Sequence, residues 1–241
     1  MLAVLSVEFH KLNRSLAALV AIAAPVLIAV FIFFNLLRLG AAMPWAMLLR
    51  NAAAMWAVFM LPMSVTALAT LTAQMEHGPR AWDHLFALPV PRWRIVAAKA
   101  ICVLTVVAVM SLAALLLSWL AGIAAGTVKP AAAPTGPLEL VAHLSLIGRM
   151  YLAALLLVAV QLWAALRFRS FVPPLILGIG GTFFAVVASG ARAGVFMPWQ
   201  MPLNMLAEDP QRAATALMNG AVGGLAALTL MLVHLSRREP G

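Results

Sequence analysis

The chain is written mostly in apolar letters, interrupted at intervals by short charged clusters. Stretches free of Asp, Glu, Lys and Arg cover residues 15–37, 51–75, 100–128, 150–166, 170–191 and 213–236. A helix needs ~20 apolar residues to cross a bilayer. Five of the runs exceed that length, and the fourth reaches it if it extends outward to about Leu144, taking in Arg149. The runs are continuous in Leu, Ala, Val and Ile rather than alternating, as the strands of a membrane barrel would be. The pattern predicts an all-α integral membrane protein with six transmembrane helices, at about 16–36, 51–74, 98–121, 144–166, 171–190 and 213–235. Pro25 and Pro62 fall inside the first two, where kinks are expected rather than breaks, because neighbouring helices can re-satisfy freed carbonyls.

Composition agrees. Hydrophobic residues make up 65% of the 241, charged residues 10%, and mean hydropathy is +1.04. A soluble core of this size buries only ~70–75% of the unfolded chain's surface, too little for so apolar a sequence, so a soluble enzyme, a DNA-binding module and a disordered tail are excluded. The net charge of +9 then reads as an orientation signal, and no nucleic-acid partner is expected. With the N-terminus inside, the cytoplasmic segments carry Lys11, Arg14, Arg80, Arg92, Arg94, Lys99, Arg167, Arg169, Arg237 and Arg238, against Arg38, Arg50, Lys129, Arg192 and Arg212 outside. That asymmetry places both termini in the cytoplasm. The first apolar run is longer than a signal-peptide core and no small-x-small site follows it, so a cleaved signal is not expected. The whole of 1–241 reads as one transmembrane domain without internal repeats.

The chemistry of the chain is sparse. All seven acids, Glu8, Glu76, Asp83, Glu139, Glu208, Asp209 and Glu239, fall outside the spans, whereas ion-coupled carriers usually hold ionisable groups at mid-depth. The motifs G-x-x-x-x-G-K-[ST] and H-E-x-x-H are absent, which removes the usual signals of an ATPase and a zinc protease. Ser189 and His234 fall at opposite ends of their spans, about 30 Å apart, too far for proton transfer. The chain is not expected to be an enzyme, to bind a cofactor or to hold a metal. His77 and His84 share a loop and read as solvated. Among the few polar atoms in the spans, Gln161 needs an interior or interface, and Arg149 either snorkels to headgroups or meets an anionic substrate, so both are candidates for a substrate path. Gly178, Gly180 and Gly181 in the fifth span, and Gly220 and Gly224 in the sixth, permit close helix approach. Packing within the chain is the simpler reading of the second pair.

The most informative segment is the loop after the second span. Gly78-Pro79 can open a helix and Pro89 and Pro91 must end it. Between them Trp82, Leu85 and Phe86 form one apolar face, opposite Arg80, Asp83 and His84. A helix of barely three turns is not stable alone in water, so this one, about 78–88, must lie against something. Either it rests in the membrane interface with Trp82 among the headgroups, or it docks a cytoplasmic partner.

The series Glu76, Gly78, Trp82, Leu85, Leu88, Pro89, Arg92 and Lys99 resembles the cytoplasmic loop of ABC-2-type permeases, the membrane subunits of a class of ABC exporters. Glu8-Phe-His-Lys11-Leu-Asn-Arg14-Ser15 is similar to the interfacial helix before their first span, especially in the lantibiotic-immunity branch. Met197–Pro202 with Leu203–Leu206 resembles their short re-entrant helices before the last span. Pro91 departs from the pattern. The resemblance implies that 78–88 is a coupling helix, with Glu76, Gly78, Trp82, Leu85, Phe86, Leu88, Pro89 and Arg92 docking a separate ABC ATPase that carries ATP and Mg. It further implies a second permease chain, the same or related, with Gly178, Gly180 and Gly181 better placed to pair with it, and the setting of a bacterial cytoplasmic (inner) membrane. Glu76 and Arg92 are expected to pair locally and fix the loop ends. The interior suits an amphipathic, peptide- or lipid-like cargo. The competing reading is a non-transporting scaffold or sensor that holds a soluble partner through the same helix.

Overall fold

A computed structural model describes residues 1–13, 15–77 and 90–237. Among these there is no strand, only an isolated bridge between Pro44 and Thr135 that ties two connecting segments. The helices are α1 (Leu2–Leu12), α2 (Leu16–Leu39), α3 (Trp45–Met55), α4 (Leu61–His77), α5 (Arg92–Val128), α6 (Leu140–Ala153), α7 (Leu155–Arg167), α8 (Val172–Val187) and α9 (Pro210–Arg237). Five helical stretches are long and apolar enough to cross a membrane, namely α2, α3 through α4, α5, α6 through α7, and α9. The predicted fifth span is the apolar but shorter α8, 16 residues long.

Neither proline ends its helical stretch. α2 runs unbroken through a buried Pro25. Pro62 has no N–H to return to the carbonyl four residues back, and the helix answers with a π turn at Trp56–Met60 whose end is a bond from the Leu61 N–H to the Trp56 carbonyl. The wider turn directs Trp56 into the core, where its indole donates to Ser111 Oγ of α5 at 3.2 Å. α2 ends at Gly40 in the left-handed conformation (φ 63°), which glycine adopts without strain, and Lys129 donates to the exposed Leu37 carbonyl. α5 opens on Pro91 as its N-cap, so the residue that departs from the family pattern starts the next helix.

The α3–α4 stretch is the most enclosed span, and α2 and α9 are the most exposed. α2 lies along α5, while α4 packs on α7 and α8 and α9 lies over the α6–α7 junction. There a single turn residue, Ala154, separates α6 from α7, while helical bonds run on from the Ala154 N–H to the Met150 carbonyl and from the Val158 N–H to the Ala154 carbonyl, both at 2.9 Å. Gly220 backs onto the Ala153 carbonyl and Gly224 onto Leu155. The glycine pair of the last span therefore packs inside the chain, and brings two backbones together at that turn residue.

Between α8 and α9 the chain folds into two 3₁₀ turns, Arg192–Phe196 and Leu203–Leu206, with Trp199, Gln200 and Met201 buried between them. Gln200 donates to the Ala185 carbonyl, Asn204 to Gly194, and Arg212 to Asn204 Oδ1 at 2.7 Å. The segment predicted to be re-entrant is a cap of short turns pinned to α8 and α9.

Candidate functional site

The first helix is short and amphipathic, with Glu8, Lys11 and Leu12 on one side by their three- and four-residue spacing. Ser15 turns the chain from α1 into α2: its hydroxyl donates to the Leu12 carbonyl and accepts from the Ala18 N–H, an N-cap. This elbow lays α1 against the start of α5. In α5, Ile95, Val96, Ala97, Ala98, Lys99 and Ala100 are all buried, and the three alanines leave room for other helices to close over the lysine between them.

Lys99 is wholly enclosed, with no exposed area. Its ammonium donates to Glu8 Oε2 at 2.8 Å and to Glu76 Oε1 at 2.7 Å. Lys11 donates to the same Glu76 oxygen at 2.6 Å and to Glu8 Oε1 at 3.1 Å. The four side chains make a closed ring of alternating charge that joins α1, the last turn of α4 and the second turn of α5. Its formal charge is zero. Removing one charge from water costs several kcal/mol, and here every charge meets two opposite partners.

Falling outside the predicted spans does not leave these acids in water, and the pairing of Glu76 runs to two lysines. Glu8 and Glu76 are 4% and 2% exposed, both inside helices, and Glu76 reaches Lys11 and Lys99. His77 ends α4 half-buried rather than standing in a loop. Lys11, 29% exposed at its side chain, is the one member open to water. Burial works against its charge, but the hydrogen bond to Glu76 and the fields of Glu8 and Glu76 outweigh this and raise its pKa above the usual 10.5. A raised lysine pKa contributes stability that is fully present below the unfolded value and drains away as pH climbs through the folded one. The difference in melting temperature between wild type and Lys11→Met should therefore stay constant from about pH 6 to about pH 9 and shrink only at more alkaline pH.

The ring stands where the chain enters and leaves the segment singled out in the sequence. Glu76 lies two residues before it, and Arg92, half-buried, opens α5 just after it. Gly78, Trp82, Leu85, Phe86, Leu88 and Pro89 lie outside the described residues, as does Arg14. Lys99 was legible as part of the pattern but not as a buried group. The available signal was its neighbourhood, a lone lysine in the apolar sequence Ile95–Cys102.

The other sequence candidates are dispersed. Gln161 is fully buried between α7 and α8 and donates to the Pro174 carbonyl at 2.6 Å, so in this conformation it faces a helix contact. Arg149 is exposed on α6. Gly178 packs on Thr66 of α4 and Gly181 on Trp199, both within the chain, while Gly180 faces open space.

The fold and its charged junction define an α-helical, multi-pass membrane protein. Residues 4–186, from α1 nearly to the end of α8, match the family described as ABC-2 family transporter protein. The chain belongs to that family and is a permease subunit of an ABC transporter. No curated protein and no solved structure matches it.

Proposed function

We propose that the protein is the membrane half of an ATP-driven exporter, moving an amphipathic, peptide- or lipid-like substrate out of the cytoplasm or the membrane. In this reading six spans place both termini in the cytoplasm of a bacterial cell, with α8 as the fifth. Segment 78–88 docks a separate ABC ATPase that holds ATP and Mg, and a second permease, the same or related, completes the path. The Glu8, Lys11 and Arg14 pattern favours the lantibiotic-immunity branch.

The observation that carries the reading is the buried ring at the root of that segment. A docking helix transmits force only if its two ends cannot yield independently. Glu76 before the segment and Lys99 after it share a direct ion pair, and both are bound to α1. Motion of a docked ATPase would thus be delivered to three helices at once, and ATP would favour one packing of the spans over another.

The test is a mild-detergent pull-down of the tagged permease from its native membrane, wild type against Trp82→Asp. A P-loop ATPase in near-equal amount with wild type, and about tenfold less with the variant, is the expected result. Absence of any ATPase from the wild-type sample overturns the reading in favour of a non-transporting scaffold.

A further inference from the structure

Beside the charge ring, Phe9 and Leu12 of α1 form one end of a cavity of about 410 Å³. It continues between α2 and α5, past Ile22 and Pro25 on one wall and Val109 and Ala113 on the other. The space arises because α2 presents alanines toward α5 where larger side chains would fill the gap. Its walls are almost wholly apolar, and the hydroxyl proton of Thr105 is already engaged by the Ile101 carbonyl at 2.8 Å. The other polar side chain is Asn13, which stands at the elbow between α1 and α2.

Three features specify the occupant. The groove is open along its length to the surface that faces the bilayer, since the flanking Ile22 and Val109 are 67% and 59% exposed. It follows α5 from Thr105 to Leu117, about 18 Å at 1.5 Å per residue, close to one leaflet of a hydrocarbon core ~30 Å thick. Its polar end lies at the level of the amphipathic α1, where headgroups would sit. The structure assigns this groove to one acyl chain of a resident phospholipid, held lengthwise between α2 and α5 with its headgroup by Asn13. The lipid supports α1 on a flank next to the ion pairs: Glu8 and Lys11 bind the ring while Phe9, one position round the helix, rests on the acyl chain. This assignment needs only that the chain be embedded in a bilayer, and stands or falls separately from ATPase docking.

The test uses the full chain in vesicles of phosphatidylethanolamine and phosphatidylglycerol, doped with a phosphatidylcholine that carries a diazirine at mid-chain. After illumination, adducts are mapped on peptides. They should concentrate on residues 9–26 and 105–117, at about tenfold the yield per residue on α8 and α9, as a retained chain would give against passing ones. Ala113→Phe, which fills the groove, should abolish that excess, whereas Leu112→Phe, on the exposed neighbouring position, should leave it intact. Ala21→Leu closes the groove from α2 and should reproduce the loss if Ala113→Phe proves unstable. Even labelling of all lipid-facing helices overturns the assignment. So does an excess that survives both filling variants, or exclusion of label from both peptides, the pattern a second protein chain seated in the groove would give.

Discussion

Lys99→Met is expected to destabilise the protein by about 3–5 kcal/mol, the usual consequence of removing one partner from a buried charge pair. Glu8 and Glu76 would remain in the interior with Lys11 as their shared partner, and the repulsion between the two carboxylates would no longer be offset on the buried side. Against a typical total stability of ~5–15 kcal/mol, that loss should appear as a much lower melting temperature in detergent and poor accumulation in the membrane. The double variant Glu8→Gln with Lys99→Met, which keeps the ring's formal charge at zero by leaving Lys11 paired with Glu76, should recover more than half of the deficit, because an amide of the same shape carries no unpaired charge. If Lys99→Met melts within about 0.5 kcal/mol of wild type, as an ordinary surface substitution would, the ring is not a structural tie.

The second large effect is expected at Gly220. A Cβ there would fall on the carbonyl and Cα of Ala153, backbone atoms that cannot rotate aside. Gly220→Ala should force α9 away from the α6–α7 junction and destabilise by about 1–3 kcal/mol or more, as overpacking does. Gly223→Ala is the matched control, since its Cβ would meet only the Leu156 methyls at 3.5 and 3.9 Å. Paired melts of the two variants decide the matter: equal stability would mean that the backbone contact at Gly220 is dispensable.

Much of the architecture could be read from the chain because lipid imposes a simple rule. A span must be an unbroken apolar helix of fixed minimum length, so runs without charge mark it directly. Pro62 announced a distortion, and the helix met it with a π turn at Trp56–Met60. The turn residue at Ala154 had no such signal, and the backbone contact beside it with Gly220 and Gly224 joins positions some 70 residues apart. The short α8 also differs from the run that predicted it: the apolar residues 188–191 leave the helix and join the cap of turns.

The site was half legible. Glu8, Lys11, Glu76 and Lys99 all belonged to the pattern that pointed to the family, and Glu8 and Lys11 are three apart on one helix, a spacing that brings side chains together. Their closure could not be foreseen, because Lys99 meets Glu8 across 91 residues and Lys11 meets Glu76 across 65. Charge at a helix end reads equally as a solvated residue or as a buried pair until the third dimension is known.

The ring also constrains the order in which the protein can be completed. Glu8 and Lys11 are synthesised long before Glu76, and Glu76 before Lys99. Until the first turns of α5 have emerged from the ribosome, the acidic groups have no enclosed cation to meet, and α1 has only the local Glu8–Lys11 pair to hold it. Helix α1 is therefore made before α5 and can be locked only after the span that begins at Arg92 has started to form, which ties acceptance of one helix to arrival of a much later one.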